Sequence, residues 1–489
     1  MSKLSKVPAI AGILLGMAVL ASGWASINIA LASIQNELGA TILQLQWMMN
    51  LYGITICTAL LPMGKLGDSF GRKWIFMMGL LGLAVACLGA GLARSPGFVI
   101  GFMALFGLSA AAVLSLSQAL IVHEFHEHQK SLAIALWGTS TSIASSLGPL
   151  LGGTLIKYYS WRLVYLINVP LALISILLVL FFVKREESGS SHCDWKGIGL
   201  LSAFAAVTVT AILQGPTWGF DSWKIIGLFT LASAIFIVFI ITERNSSEKL
   251  FHPSLFAHRG FIFASICNAC LMGVVWATFF FVPLYLQNEM EISSLQTGLK
   301  MLFLTTPVAA LSYIVSRYYE KIGARAPLSL GFMVIFIAVF FQSLLTIEGS
   351  CLLIGLGWAL TLSPAASSAL SSLPHKMAGI ASGMYLTLEE FGAVLILAVA
   401  GVTFRMGTNR FLAPKMGEIE AVLKDRTVSL ISDPRGAEKF VEPNSPVLAW
   451  LHQGFEVGYH DVLLFLSLLM AAALVCACFV PKKKVKVLN

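Results

Sequence analysis

Residues 138–153 read GTSTSIASSLGPLLGG, and this stretch lies within the fifth long apolar segment of the chain. Gly148 and Gly152 form a small-xxx-small pattern, which lets two membrane helices approach closely. Pro149 lacks a backbone N–H group and bends a helix that contains it. The stretch therefore predicts a closely packed, bent helix, at which one part of the molecule could rock against another.

The composition of the whole chain indicates an integral membrane protein. Of the 489 residues, 57% are hydrophobic and only 11% are charged, whereas a soluble domain carries about 25% charged residues. So few charges cannot cover the several soluble domains that a chain of this length would form, which excludes a soluble enzyme and a disordered scaffold. The net charge is +8, but the basic residues occur in short tracts between apolar runs, so we expect no nucleic-acid partner.

Fourteen segments are long and apolar enough to be membrane spans, since a spanning helix needs about 20 residues. The predicted spans are 8–34, 44–64, 74–94, 97–121, 131–156, 162–183, 197–215, 223–242, 261–287, 297–316, 328–347, 350–371, 378–404 and 458–480. The seventh and eighth are the weakest, and their fusion into one span would give thirteen. The sequence therefore predicts an all-α polytopic membrane protein.

The distribution of Lys and Arg predicts the orientation. If the N-terminus is cytoplasmic, the inside segments carry 20 basic residues and the short outside loops carry 5, in line with the positive-inside rule. An even number of spans places the basic tail 482–489 inside as well, beside anionic lipid. Segment 405–457 is polar and contains four prolines. We expect it to be an extracytoplasmic loop with a short helix near 416–430, either a solvated connector or a functional lid.

No pattern in the sequence predicts a metal site, a cofactor or an enzyme. Cys267 and Cys270 have the spacing of half a zinc site, but no second Cys or His pair stands at zinc-binding spacing. The GxxxxGK[ST] phosphate loop is also missing from the sequence, so ATP would have to act on another chain. Neither a polar catalytic constellation nor a sizeable soluble domain is visible in the sequence.

The turn after the second span carries glycines and charges, GKLGDSFGRK at residues 64–73. Gly64 and Gly71 permit a close approach of the backbone. Asp68 can pair with Arg72 or accept hydrogen bonds from a helix N-terminus. The simpler interpretation is a basic loop that only sets the orientation of the chain.

A related stretch, SRYYEKIGAR at residues 316–325, follows the tenth span. Glu320 takes the place of the aspartate of the first loop, and Arg325 lies near the position of Lys73. Arg317 adds a further charge to this second copy. Two related loops, each between neighbouring spans, indicate an internally duplicated transporter.

These motifs resemble those of the major facilitator superfamily. The turn at 64–73 is similar to the signature loop GxLxDrxGRK of this family, and the stretch from Gly138 to Gly153 is similar to the helix-five motif of its antiporters. WRLVYLINVP at 161–170 is similar to the start of helix six. The stretches that resemble the fourteen-helix drug:proton antiporters, the EmrB and QacA type, are QWMMNLY at 46–52 and GIASG at 379–383.

The resemblance implies a fold of two six-helix bundles. Residues 1–183 would form the N-terminal bundle, and residues 259–481 would form the C-terminal bundle, which includes the loop 405–457. Residues 184–258 would supply cytoplasmic linkers and two inserted helices. The tail 482–489 would be basic and cytoplasmic.

The resemblance also implies a location and partners. We expect a monomeric, multi-pass protein of the bacterial inner (cytoplasmic) membrane with both termini in the cytoplasm. Its expected partners are a small-molecule substrate, protons and the lipid bilayer, and no cofactor is expected. The resemblance also allows an envelope-spanning accessory protein as a further partner.

The chain departs from the family in its membrane charges. Relatives usually carry an Asp in helix one and an Arg in helix four, where this chain has Gly23 and Met103. If only one charge of a buried pair were lost, the other would remain without a partner at a high energetic cost. The loss of both charges together is therefore physically consistent. Glu389 and Glu390 instead lie within a predicted span, where a carboxylate marks a functional site. They point about 100° apart, and three roles stay open: proton coupling, binding of a cationic substrate, or a structural role.

Polar and aromatic residues within the spans form a candidate substrate site. In the resembled fold, helices that line the cavity carry the asparagines, and the aromatic residues would form a wall suited to amphipathic or cationic ligands. The competing interpretation is helix packing or anchoring at the membrane interface. The candidates are Trp24, Asn28, Asn50, Tyr52, Asn268, Trp276, Tyr285 and Trp358.

The leading hypothesis is secondary active transport by alternating access. The protein would export amphipathic or cationic small molecules, as multidrug efflux proteins do, in exchange for protons. The alternative is export or import of one endogenous metabolite, lipid or siderophore without proton coupling. Because the two membrane charges are missing, this alternative is more favoured here than for relatives that keep them. A membrane sensor or enzyme is the least favoured class.

Overall fold

The computed structural model describes residues 3–124, 130–184, 195–245, 253–371, 378–423, 427–431, 433–438, 440–442 and 445–481. The helices are α1 (Lys3–Leu38), α2 (Ile42–Phe70), α3 (Arg72–Gly91), α4 (Pro96–Glu124), α5 (Lys130–Tyr158), α6 (Trp161–Leu166), α7 (Asn168–Phe182), α8 (Trp195–Trp218), α9 (Trp223–Asn245), α10 (Arg259–Asn288), α11 (Ser294–Ile322), α12 (Arg325–Phe340), α13 (Ile347–Ser371), α14 (Ala378–Leu412), α15 (Met416–Leu423), α16 (Thr427–Leu430), α17 (Pro434–Ala437) and α18 (Pro446–Phe479). No β-strand occurs in these described ranges, which confirms the all-α prediction.

Eleven described helical segments are long and apolar enough to cross a membrane. Each of the fourteen predicted spans falls on a helix, and the sixth falls on the consecutive pair α6 and α7. Within the described ranges, α2, α5 and the 16-residue α12 do not belong to the eleven. The count of fourteen spans therefore stays a prediction.

The helices α1–α7, which we call the N-terminal helices, pack on one another. α1 lies against α5 and α7, α2 lies against α4, and α3 lies against α4 and α7. At the contact of α1 with α5, the hydroxyl of Ser26 donates a hydrogen bond of 2.6 Å to the carbonyl oxygen of Gly148. Gly152 faces the backbone of Ser26 directly. The predicted close approach at this motif is thus a contact between the backbones of α1 and α5.

The C-terminal helices, α10–α14 and α18, form a second packed group. α10 lies against α13, α14 and α18, while α11 and α12 both lie against α13. The two groups meet where α5 contacts α11, where α2 contacts α14, and where α1 contacts α10. α8 and α9 pack on each other, and α8 also lies against α2 and α14. The helix α8 therefore sits beside one of the junctions between the two groups.

We call the end of the molecule at which α14 ends and α18 begins the outer end, following the predicted orientation. α14 continues as a helix to Leu412, and α18 begins at Pro446. The predicted loop 405–457 is thus too long, because both neighbouring helices extend into it with their backbone hydrogen bonds intact. Only 413–445 lies between them, and it contains the short helices α15, α16 and α17.

The segment between α14 and α18 has an apolar core of its own. Leu412, Ile419 and Leu451 are fully buried there. Arg435 of α17 donates a hydrogen bond of 3.0 Å to the carbonyl oxygen of Gln287 on α10. This segment is therefore packed onto the outer end of the C-terminal helices.

The glycine contacts generate a stability prediction. A Cβ atom at position 148 would lie 2.6 Å from the Cβ of Ala25 and 2.8 Å from the carbonyl oxygen of Ser22. We expect Gly148→Ala to lower the free energy of unfolding by about 1–3 kcal/mol, as overpacking does. Thermal unfolding of the purified protein measures the effect. Gly138→Ala is the matched control, since no described atom lies within 4 Å of a Cβ at that position; equal stability of the two variants would contradict the prediction.

Candidate functional site

The turn between α2 and α3 is built by the motif at residues 64–73. Gly71 adopts a φ of +96°, which favours glycine, and it ends α2 and begins α3. The Nε of Arg72 donates a hydrogen bond of 3.0 Å to the Oδ1 of Asp68. No described atom lies within 4 Å of a Cβ built on Gly64, so that glycine is not needed for packing in this structure.

Lys73 connects this turn to another helix. Its Nζ donates hydrogen bonds of 2.8 Å to the carbonyl oxygen of Leu180 and 2.6 Å to that of Val183. These oxygens belong to the C-terminal end of α7, where backbone acceptors have no partner within the helix. Lys73 therefore caps α7 and fixes its end to the start of α3.

Arg325 makes the equivalent connection in the C-terminal helices. It begins α12, and its Nε donates a hydrogen bond of 2.7 Å to the carbonyl oxygen of Val480, the residue that caps α18. Lys73 and Arg325 thus perform the same role at the starts of α3 and α12. The side chains of Arg317 and Glu320 lie outside the described part of the structure.

The helix-five motif contacts the C-terminal helices with its second face. Gly153 accepts a hydrogen bond of 3.2 Å from the hydroxyl of Ser294 at the start of α11. Gly298 of α11 lies against the carbonyl oxygen of Pro149. α5 therefore uses Gly148 and Gly152 to hold α1 and uses Pro149 and Gly153 to contact α11.

An aromatic cluster lies between the two groups of helices. The ring centroid of Trp276 on α10 lies 5.5 Å from that of Trp24 on α1 and 5.5 Å from that of Tyr52 on α2. The ring centroids of Phe279 and Trp24 are 5.0 Å apart, and those of Phe106 and Tyr52 are 5.7 Å apart. The structure thus brings together three of the aromatic residues that the sequence singled out.

Several buried polar atoms on α1 and α2, the helices that carry Trp24 and Tyr52, have no described partner. The amide groups of Asn28 and Asn50 donate hydrogen bonds of 2.9 Å to the backbone of their own helices, which leaves both Oδ1 atoms free of described donors. The side-chain amide of Gln46 and the indole N–H of Trp24 also lack a partner among the described residues. An unpaired buried polar group costs about 1–3 kcal/mol. Water or a ligand that bonds to these atoms would remove that cost.

Glu389 and Glu390 face different neighbours. Asn268 of α10 donates a hydrogen bond of 2.7 Å from its Nδ2 to the Oε2 of Glu389. The Oε2 of Glu390 has no hydrogen-bond partner among the described residues. Gly383 and Val394, on the same face of α14 as Glu390, lie against Leu61 and Gly53 of α2. Glu390 therefore lies on the face of α14 that packs against the N-terminal helices.

Two of the sequence-derived candidates lie apart from this cluster. Tyr285 stacks on Tyr459 of α18 with the ring centroids 4.3 Å apart. Tyr285 follows Trp276 by nine positions on α10, and nine steps of 100° put the two side chains on opposite faces of the helix. Trp358 of α13 makes no ring contact among the described residues and leaves its indole N–H unpaired there.

Two further residues of the cluster were not among the sequence-derived candidates. Phe279 follows Trp276 by three positions, so the helical period already placed it on the same face. Phe106 lies three positions after Met103 on α4, and only the packing of α4 on α2 shows its contact with Tyr52. The helical spacing was therefore sufficient to identify Phe279 but not Phe106.

Comparison with known proteins identifies relatives of the chain. A family model described as Major Facilitator Superfamily matches residues 13–397. The tetracenomycin C resistance and export protein of Streptomyces glaucescens is 27% identical over 81% of this chain and 75% of that protein. The multidrug resistance protein Stp of Mycobacterium tuberculosis is 28% identical over 80% of this chain and 74% of that protein.

The fold is also similar to that of solved structures. A bacterial homolog of the human lysosomal transporter Spinster, in its inward-facing and unoccupied conformation, superposes with a TM-score of 0.70. The superposition covers 100% of both chains at 13% sequence identity. At that identity the likeness concerns the fold alone.

The helix-capping role of Lys73 generates a prediction. Lys73→Met leaves the carbonyl oxygens of Leu180 and Val183 without their donor, and we expect a loss of about 1–3 kcal/mol in the free energy of unfolding. Lys73→Arg is expected to restore part of it, because a guanidinium can donate to the same oxygens. Denaturant unfolding of the purified variants measures the loss. Lys157→Met, which removes an exposed lysine, is the control, and an equal effect of both would show that capping is not the cause.

Proposed function

The chain belongs to the major facilitator superfamily, and we propose that it exports amphipathic or cationic small molecules by alternating access, driven by proton influx. The observation that carries the proposal is the aromatic cluster between the two groups of helices, together with unpaired polar atoms on α1 and α2 and with Glu390 on the face of α14 that packs against α2. Flat aromatic faces and a carboxylate attract organic cations. The relatives whose names state drug resistance and export support the direction of transport.

The proposed fold assigns the helices to two bundles. α1–α7 form the bundle of residues 1–183, and α10–α18 form that of residues 259–481. α8 and α9, within residues 184–258, are inserted between them. This arrangement gives fourteen spans in the inner membrane with both termini in the cytoplasm, and the monomer is the proposed unit. The proposal places the chain in the drug:proton antiporter branch of the superfamily.

Contacts at the outer end support a proposed substrate path that is closed on that side. The amide of Gln287 donates a hydrogen bond of 3.1 Å to the carbonyl oxygen of Ile29 on α1. Asn288 donates one of 2.9 Å to the Oε1 of Gln35. These bonds join α10 to α1 and would have to break before a substrate could leave outward. Rocking of the two bundles would exchange them for contacts at the inner end.

Proton coupling is assigned to Glu390. The free energy of ionising a carboxyl group depends strongly on its access to water, so a change of access moves a proton on or off the group. Glu390 lies at the interface between the two bundles, which is where access changes during rocking. Glu389 is instead bonded to Asn268 within the C-terminal bundle, so its assigned role is to hold α10 and α14 together.

One observation favours a second function. The positions of the usual helix-one Asp and helix-four Arg are occupied by Gly23 and Met103, and a Cβ at Gly23 would already touch the amide of Asn168. A transporter without that charge pair would suit a specific endogenous metabolite, lipid or siderophore, moved without protons. Substrate accumulation in cells, with and without a collapsed proton gradient, separates the two functions.

The coupling role of Glu390 generates a prediction. We expect Glu390→Gln to lose transport driven by a pH gradient in proteoliposomes and to keep the exchange of labelled for unlabelled substrate, because exchange needs no proton transfer. Glu389→Gln is the matched control, since a glutamine oxygen still accepts from Asn268. Gradient-driven transport that survives in Glu390→Gln would exclude this residue as the coupling group.

The aromatic cluster generates a prediction about affinity. Trp276→Ala removes the ring that contacts both Trp24 and Tyr52, and we expect substrate to bind about tenfold more weakly. Trp223→Ala removes a tryptophan that is 80% exposed on α9 and is expected to bind as the unaltered protein does. Equilibrium binding of a radiolabelled substrate to protein in nanodiscs makes the comparison. Equal affinities of the two variants would place the substrate elsewhere.

A further inference from the structure

A cavity of about 390 Å³, which we call the outer cavity, lies at the outer end of the C-terminal helices. Its walls come from α10, α11, α13, α18 and the turn between α12 and α13. None of its described lining residues belongs to the N-terminal helices. The cavity is therefore contained in one group of helices, and its shape does not depend on how the two groups are oriented.

Two stacked tyrosines form one wall of this outer cavity. The rings of Tyr285 and Tyr459 are 4.3 Å apart and inclined by 17°. Gln342 donates a hydrogen bond of 2.7 Å to the hydroxyl of Tyr459, which holds that ring in place. Phe455 supports Tyr285 from behind at 6.5 Å. The aromatic surface is thus fixed before any ligand arrives, which lowers the entropic cost of binding.

Among the described residues, the carboxylate of Glu456 is the acidic group of the outer cavity that has no Lys or Arg partner. Lys300 forms an ion pair with Glu348, so these two charges offset each other. Glu456 lies 3.8 Å from His460, and both side chains are about half exposed. Glu456 and Tyr285 both line the cavity, and the carboxylate is close enough to the tyrosine to interact with it electrostatically.

We infer that the outer cavity binds an aryl ammonium cation that arrives from the outer side, separately from the central aromatic cluster. Its volume lies within the range of about 300–1,000 Å³ that small-molecule sites occupy. The ammonium group would lie between the part-exposed ring of Tyr285 and the carboxylate of Glu456. This inference gives Tyr285 a ligand other than the transported one and does not depend on the proposed transport function.

The test uses benzyltrimethylammonium and the full chain in phosphatidylglycerol nanodiscs, with binding followed by saturation-transfer difference NMR. We expect saturable binding that weakens about fivefold in Tyr285→Leu and about fivefold in Glu456→Gln, since each removes one contact with the cation. Glu420→Gln removes an exposed carboxylate outside the cavity and is expected to bind as the unaltered protein does.

Three results would overturn the inference. One is the lack of saturable binding, and another is an equal effect of Glu456→Gln and Glu420→Gln. The third is binding that disappears in Trp276→Ala but persists in Glu456→Gln and Tyr285→Leu, which would assign the probe to the central cluster and leave the transport proposal standing.

The ammonium group can come from a soluble cation or from a lipid headgroup. Replacing half of the lipid with phosphatidylcholine distinguishes these sources. A loss of probe affinity would show that the choline headgroup occupies the outer cavity. An unchanged affinity would show that the site serves water-soluble cations. Both results support the ammonium chemistry that the tyrosines and Glu456 provide.

Discussion

Contact between helix backbones at glycine positions is the constraint on which the packing and the movement of this protein depend. In a bilayer, burying an apolar side chain against another helix gains little, because the lipid is equally apolar. Close approach of backbones supplies the attraction instead. Gly148 lies against the carbonyl oxygen of Ser22 on one side of α5, and Gly298 lies against that of Pro149 on the other. The same helix therefore contacts α1 with one face and α11 with the other through closely spaced backbones.

A second feature of the structure is that both groups of helices contain the same type of helix-capping contact. Lys73 and Arg325 begin equivalent helices, and each donates to carbonyl oxygens at the end of the last helix of its own group. These links join helices within each group and would keep each group rigid during the proposed rocking, which would then occur at the junctions between the groups. The central cluster lies at those junctions, because Trp24 and Tyr52 come from the N-terminal helices and Trp276 comes from the C-terminal helices. Stiff groups and a site between them are what alternating access requires.

The sequence was sufficient to predict the helices and the close contacts of Gly148 and Gly152, but not every ring of the aromatic cluster. Composition and spacing place each predicted span on a helix, because apolar length is set by bilayer thickness. The helical period could have separated Tyr285 from Trp276, since nine positions bring them to opposite faces of α10. The contact of Phe106 with Tyr52 depends on how α4 packs against α2, and no local pattern encodes that register. The length of the outer segment was overestimated because polar residues such as Arg410 and His452 continue helices beyond the apolar stretch.

The central claim is that two stiff groups of helices rock about the junctions of α2 with α14 and α5 with α11. Its most direct test is the distance between spin labels at Tyr159 and Leu344, which are 74% and 79% exposed at the outer ends of the two groups. Pulsed electron–electron double resonance on protein in nanodiscs measures the distribution of this distance. The account predicts two distances whose proportions change with pH and with bound substrate. One unchanging distance, in protein that still transports, would contradict it.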